Sequence, residues 1–90
     1  MSHLQDDEAL VKRVRRIAGQ VAAIERALVE GEDCATTLHR VAAARGAMNG
    51  LMDQIIEAHM DAHVAGPGLS DDERTQGARE LIAAIRRYAK

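Results

Sequence analysis

An apolar repeat near the start of the chain constrains its fold more than any other feature. The repeat has successive spacings of 4, 3, 4, 3 and 4 residues, at Leu10, Val14, Ile17, Val21, Ile24 and Leu28. This heptad pattern is typical of one face of an α-helix that packs against other helices. Gly31 follows the repeat, and glycine suits the left-handed residue after a helix. The sequence therefore predicts a first helix over residues 6–30.

A longer second helix is predicted over residues 34–65. Asp33 is placed to cap its N-terminus, and the Gly66-Pro67-Gly68 break ends it. Its apolar pattern consists of Leu38, Val41, Ala42, Met48, Met52, Ile55 and Ile56, and His59 continues it. A helix of about 30 residues is about 45 Å long, more than one short helix can cover. Part of it is therefore expected to pack against a second copy of the chain.

Two glycines lie four residues apart inside this second helix, Gly46 and Gly50. Each costs about 1 kcal/mol relative to alanine in a helix. Their shared face favours a close approach of another backbone, and the alternative is that both are tolerated at the surface.

A third helix is predicted over residues 71–89. Ser70 and Glu73 have the spacing of a capping box. The expected inner face consists of Ala78, Leu81, Ile82, Ile85 and Tyr88. With no strand pattern in competition, the sequence predicts an all-α protomer of three helices.

Length and composition narrow the class of protein further. The 90 residues suit a single domain spanning 1–90, with Tyr88 as the one aromatic residue and Cys34 as the one cysteine. One cysteine excludes a disulfide within the chain. No apolar segment after Met1 looks like a signal, and no run approaches the length of a membrane span. The expected compartment is the cytoplasm, with no membrane association.

A basic cluster in the first helix is the feature that could bind nucleic acid. Four cations fall within five positions, at Lys12, Arg13, Arg15 and Arg16, in a chain of net charge −2. They lie away from the apolar stripe, and such a run is often only a solvated helix face. Any DNA binding must come from this local clustering, since the overall charge is not basic.

The second helix carries a thiol and two imidazoles that together suggest a metal site. Cys34 falls at its first position, where a helix attracts anions, and the thiolate is the form of cysteine that binds metals. His59 and His63 share one face near its other end. The thiol and the imidazoles are roughly 25 residues, or about 37 Å, apart along a straight helix. A site that used all three would need an antiparallel second chain.

Several readings of these residues stay open. A histidine on an apolar face is often a satisfied core residue, and a lone cysteine is often a small buried one. A thiolate with imidazoles suits Zn(II), Ni(II), Co(II) or Cu(II) rather than calcium or magnesium. His3 is a further candidate ligand, whereas His39 is expected to be exposed.

Four segments resemble the CsoR/RcnR/FrmR family of bacterial transcriptional repressors. They are Val14-Arg-Arg-Ile-Ala-Gly-Gln20, the single Cys34, Ala43-Ala-Arg-Gly-Ala-Met-Asn-Gly-Leu-Met52 and Glu57-Ala-His59. The resemblance covers residues 8–90. It implies a dimer built as an antiparallel four-helix bundle and a disc-shaped tetramer made of two dimers. It also implies that operator DNA is released when an inducer binds.

The resemblance also implies roles for particular residues. Arg13 and Arg16 are expected to contact DNA, supported by Lys12 and Arg15. The protein is expected to recognise the shape of the DNA and not to insert a recognition helix into a groove. The sensing site is expected to combine the cysteine of one protomer with the histidines of its partner.

The inducer is the point on which branches of the family differ. The nickel and cobalt branch has ligands at the positions of His3, Cys34, His59 and His63, and all four match. The copper(I) branch has a second cysteine at the position of His63, which disfavours copper here. The formaldehyde branch begins with proline after Met, whereas this chain has Ser2. The prediction is a repressor induced by Ni(II) or Co(II), with Zn(II) as a further metal and formaldehyde, sensed through Cys34 and the N-terminal amine, as the alternative.

Other classes of protein are less consistent with the sequence. An enzyme that used Cys34 as a nucleophile would need an oxyanion hole and a third orienting group, and no such residues can be named. A helical metal-storage or adaptor protein without DNA binding is the alternative from another class.

Overall fold

The computed structural model describes residues 4–88, which form three α-helices: α1 (Glu8–Glu30), α2 (Cys34–His63) and α3 (Asp71–Tyr88). No strand occurs within this range, which confirms the all-α fold. α1 begins two residues later than predicted, and α2 ends two residues earlier. None of the described helices is long and apolar enough to cross a membrane.

The start of each helix is held by a local cap. The Asp7 carboxylate accepts the backbone N–H of Leu10 at 3.1 Å. Asp33 accepts the backbone N–H of Thr36 at 3.0 Å and its hydroxyl at 2.8 Å. Such bonds satisfy N–H groups that have no partner inside the helix.

The capping box at α3 forms as predicted. The backbone N–H of Ser70 donates to the Glu73 carboxylate at 3.0 Å, and the Glu73 N–H donates to the Ser70 hydroxyl at 3.1 Å. The bond from the Ser70 N–H lowers the pKa of Glu73. Gly31 ends α1 in the left-handed conformation, with φ of 72°, so its predicted role at the helix end is also confirmed.

Two compact units share the chain, and α2 contributes to both. The first contains α1 and α2 as far as Asp53, and the second contains α2 from Gln54 onward together with α3. The prediction of a single domain remains a prediction.

The heptad stripe of α1 is buried along only half of its width. Leu10 and Ile17 are 8% and 4% exposed, respectively. Val14, Val21 and Leu28, which alternate with them, are 49%, 54% and 68% exposed. One chain therefore covers one side of the stripe and leaves the other side to solvent.

α2 and α3 also expose apolar residues. No residue of α2 is buried. In α3, Gly77 and Leu81 are buried, whereas Ile82, Ile85 and Tyr88 are exposed. Within one chain the predicted inner face of α3 is therefore confirmed at Leu81 and is not buried at Ile82, Ile85 and Tyr88.

The second unit depends on a close contact between α3 and the end of α2. A Cβ added at Gly77 would overlap the backbone carbonyl of His63 and lie 2.9 Å from the His63 Cβ. Arg74, one turn earlier, donates a hydrogen bond to the Val64 carbonyl just beyond α2. Only glycine fits at position 77 without moving one helix away from the other.

We expect Gly77→Ala to destabilise the protein although alanine is the better helix former. Overpacking costs about 1–3 kcal/mol, against a gain in helix propensity of about 0.5–1 kcal/mol. The matched control is Gly19→Ala, also inside a helix, where an added Cβ meets nothing within 4 Å. Urea unfolding followed by circular dichroism should show the control equal to or above the wild type and Gly77→Ala below it. Equal stability of the two variants would contradict the close contact.

The Asp33 cap predicts a dependence of stability on pH. Hydrogen bonds from Thr36, first its hydroxyl and then its backbone N–H, lower the pKa of Asp33. A carboxylate whose pKa is lower in the folded state stabilises that state above its unfolded pKa, and the effect is lost as pH falls through the folded pKa. Asp33→Asn retains a capping oxygen without the charge. Between about pH 5 and pH 3, its stability to urea should fall less than that of the wild type; parallel losses would contradict the role of the charged cap.

Candidate metal centre and nucleic-acid interface

Cys34 lies at the first residue of α2 with an exposed thiol. The Asp33 cap fixes the backbone immediately before it. Glu32 and Arg40 add an ion pair with two hydrogen bonds, of 3.0 and 3.2 Å, between the preceding loop and the second turn of α2. The hydrogen bonds with Glu32 raise the pKa of Arg40. The thiol therefore projects from a well-defined helix start and is accessible to a ligand or to another chain.

His59 and His63 lie side by side in the last turns of α2. Their ring centroids are 4.7 Å apart and the rings are tilted by 45°. His59 is half-buried and His63 is exposed. The i, i+4 spacing thus brings the two imidazoles together, as it does where two histidines of one helix ligate one metal ion.

The His59 ring is oriented by α3. Its Nε2 lies 3.0 Å from the Gly77 carbonyl oxygen. Because a carbonyl only accepts hydrogen bonds, Nε2 carries the hydrogen, and in the neutral ring Nδ1 then carries the lone pair. Histidines that bind a metal commonly donate the N–H of the other ring nitrogen to a backbone carbonyl or a carboxylate, which fixes the tautomer and the ring orientation.

Acidic side chains lie near the two imidazoles. The Glu80 carboxylate lies 3.8 Å from His59 Nε2. A groove of about 520 Å³ beside His63 is also lined by Asp72 and Glu73. These carboxylates make the surroundings of the histidines favourable to a cation.

No three histidine, cysteine, aspartate or glutamate side chains of residues 4–88 converge on a common metal position within one chain. The two imidazoles lie together, but the thiol is not beside them, because Cys34 begins α2 and His63 ends it. His3 lies outside the described residues. His39 is exposed, as predicted.

The basic cluster of α1 contains two kinds of cation. Lys12, Arg15 and Arg16 are exposed, whereas Arg13 is half-buried. The Arg13 guanidinium lies over Gly50 of α2, where a Cβ would be 2.5 Å from Nη1. The predicted close approach at the glycines is therefore made by a side chain and not by a backbone. Gly46 has no atom within 4 Å of the equivalent position in one chain, so a close approach there stays a prediction for the assembly.

Gly77 is a residue of the candidate centre that the sequence prediction missed. It gives α3 its close approach to His63 and supplies the carbonyl that orients His59. The available signal was a glycine inside the amphipathic third helix, which often marks close packing. The sequence alone does not say which neighbour approaches it.

Comparison with known proteins places this geometry in a family. A family model described as a metal-sensitive transcriptional repressor matches residues 6–87. The transcriptional repressor RcnR of Salmonella arizonae is 37% identical over 86 residues, which cover 94% of this chain and 93% of the relative. An RcnR homologue from Escherichia coli O139:H28 is 42% identical over 91 residues and matches along the whole length of both chains.

A solved structure agrees with the sequence relatives. It is a variant, with histidine in place of a glutamate, of the formaldehyde-responsive regulator FrmR from Salmonella enterica serovar Typhimurium. The TM-score is 0.86 at 42% identity, and the match covers 93% of this chain and 94% of the other. The family model and the sequence relatives agree on transcriptional repressors, a class of DNA-binding proteins and not of enzymes. This chain belongs to the family of metal-sensitive transcriptional repressors.

Proposed function

We propose that this protein represses transcription by binding operator DNA and that it releases the operator when a transition-metal ion binds between protomers. The ion is Ni(II) or Co(II) in preference, with Zn(II) as a further candidate. Its ligands are Cys34 of one protomer and His59 and His63 of another, joined by His3. Release derepresses a gene for metal efflux or detoxification.

The observation that carries the metal site is the pair of imidazoles at the end of α2. Their rings lie 4.7 Å apart, and the bond to Gly77 leaves the His59 lone pair on Nδ1. A thiolate and imidazoles are a donor set for borderline metals such as nickel, cobalt and zinc. The exposed Cys34 supplies the thiolate from a neighbouring chain.

The proposed assembly supplies that neighbouring chain. Two copies of α2 running antiparallel bring the Cys34 end of one helix beside the His63 end of the other. The exposed Val14, Val21 and Leu28 of α1 support an apolar interface between copies. A homotetramer formed from two such dimers repeats the basic cluster four times.

DNA binding is assigned to Lys12, Arg13, Arg15 and Arg16 of α1. Repetition in a tetramer allows many phosphates to be neutralised, which makes operator affinity steeply dependent on salt. For metal to release DNA, it must bind the DNA-free conformation more tightly than the DNA-bound one. The usual coupling free energy of such systems is about 1–3 kcal/mol.

Formaldehyde is a second candidate inducer because the formaldehyde-responsive FrmR variant is similar in fold and sequence. An exposed thiol and an amine condense with formaldehyde to a methylene bridge and release water. Cys34 provides the thiol, and the N-terminal amine lies outside the described residues. A storage or adaptor protein is less consistent with membership of a repressor family.

We expect Cys34→Ala to abolish release of the operator by metal while it leaves operator binding intact. The reduced protein is titrated with Ni(II), Co(II), Zn(II), Cu(I) and formaldehyde while fluorescence anisotropy follows an operator duplex. His39→Ala is the matched control, because this exposed histidine lies outside the proposed site. Release by formaldehyde and by no metal would overturn the choice of inducer. Loss of operator binding by a folded Cys34→Ala protein would overturn the division of roles.

Mixing variants tests whether the site lies between chains. Cys34→Ala and the double variant His59→Ala, His63→Ala each lack half of the proposed ligands. In a heterodimer, the two intact halves meet at one of the two sites, so metal binding should return to about half of the wild-type stoichiometry. Competition with a chromophoric chelator measures it. No recovery in a purified heterodimer would contradict a site shared between chains.

We expect Arg16→Ala to show the opposite behaviour to Cys34→Ala. Removal of an exposed cation from the basic cluster weakens operator binding, and the slope of log affinity against log salt falls by about one for each phosphate that is no longer neutralised. Metal affinity should be unchanged because Arg16 is not among the proposed ligands. Arg86→Ala, an exposed arginine of α3 outside the basic cluster, is the charge-matched control. Equal salt dependence of the two variants would count against DNA binding by the α1 cluster.

A further inference from the structure

Arg13 occupies a space that exists only because residue 50 is glycine. A Cβ built at Gly50 would lie 2.5 Å from Arg13 Nη1, 3.4 Å from Cζ and 3.9 Å from Nη2. A Cβ essentially never lies within 3.0 Å of a nonbonded atom of another residue, so alanine and the observed guanidinium position exclude one another. The atom that must move is the end of a flexible side chain, and the backbones of α1 and α2 need not shift.

The guanidinium held over Gly50 carries a charge that the chain does not neutralise. Among residues 4–88, no carboxylate forms an ion pair with Arg13 and no acceptor takes a hydrogen bond from it. Its side chain is nevertheless half-buried, unlike the exposed Lys12, Arg15 and Arg16 beside it. An arginine that is held in place and keeps its donors unused is suited to bind a phosphate.

The arrangement is specific to one of the two glycines. Gly46 lies one turn earlier in α2, yet a Cβ at this position meets nothing within 4 Å. Gly50 thus differs from its neighbour in having the guanidinium against it, and the two form a natural pair for comparison.

We propose that Gly50 is a positioning residue for DNA binding, because its missing Cβ lets Arg13 rest against α2 in the position from which it contacts the phosphate backbone. This inference rests on the proposed function, in which Arg13 contacts DNA. A long cationic side chain that is already ordered loses less conformational entropy when it binds a phosphate than one that moves freely in solvent. Gly50 itself touches no DNA in this proposal and acts only through Arg13.

The test is Gly50→Ala compared with Gly46→Ala. Both substitutions favour the helix, so the thermal transition of each should be equal to or above that of the wild type, with the same oligomeric state by light scattering. Gly50→Ala should weaken operator binding by about tenfold and lower its salt dependence, as expected when one phosphate is no longer neutralised. Gly46→Ala should bind like the wild type. Unchanged affinity of a folded Gly50→Ala protein, or an equal loss in both variants, would overturn the proposal.

A double variant separates positioning from a general effect on α2. If Gly50 acts through Arg13, then Arg13→Ala with Gly50→Ala should bind the operator no more weakly than Arg13→Ala alone. Losses that simply add would overturn the proposal. If the wild type itself binds no DNA, the proposed function fails. The positioning proposal fails separately when the wild type and Arg13→Ala differ but Gly50→Ala equals the wild type.

NMR relaxation of the Arg13 side-chain Nε provides a readout without DNA. The signal should show a restricted group in the wild type and in Gly46→Ala, and a mobile one in Gly50→Ala. Equal mobility in all three proteins would contradict the inference that Gly50 lets the Arg13 guanidinium rest in one position against α2.

Discussion

The geometry of a long helix is the constraint on which the proposed function depends. Cys34 begins α2 and His63 ends it, and an α-helix rises about 1.5 Å per residue. A thiol and an imidazole at opposite ends of such a helix cannot bind one ion within the chain. If they bind the same ion, sensing requires assembly, because each site is completed only when a second chain is present. Half of the α1 stripe is exposed and no residue of α2 is fully buried in one chain, which agrees with such a requirement.

Hydrogen bonds and an ion pair hold both ends of α2, where the candidate ligands lie. Asp33 and the ion pair between Glu32 and Arg40 hold the end that carries Cys34. At the other end, the Gly77 carbonyl orients His59, and Arg74 donates to the carbonyl that follows the helix. A ligand that joined two such ends would be held by side chains of helices, on which a site is positioned more precisely than on loops.

The features that sequence could predict are those set by neighbouring residues. The Asp33 cap, the Gly31 terminus and the capping box at Ser70 each depend on contacts within four residues, and all three form. The partners of Gly50 and Gly77 are 37 and 14 residues distant in the chain, Arg13 and His63, and periodicity does not identify them. Periodicity also does not show which half of the α1 stripe is buried in one chain, because apolar spacing identifies a helix face but not what covers that face.

The choice between a metal and an aldehyde depends on the imidazoles more than on the cysteine. A thiolate can bind a metal ion or react with formaldehyde, and the methylene bridge formed with formaldehyde needs only an amine in addition. A metal ion of the nickel, cobalt or zinc type gains from every additional nitrogen donor within reach. His63 adds such a donor one turn from His59, with ring centroids 4.7 Å apart, and it contributes nothing to a bridge between a thiol and an amine. The second imidazole is therefore the residue whose presence distinguishes a metal site from an aldehyde site, and it is why metal is the favoured inducer.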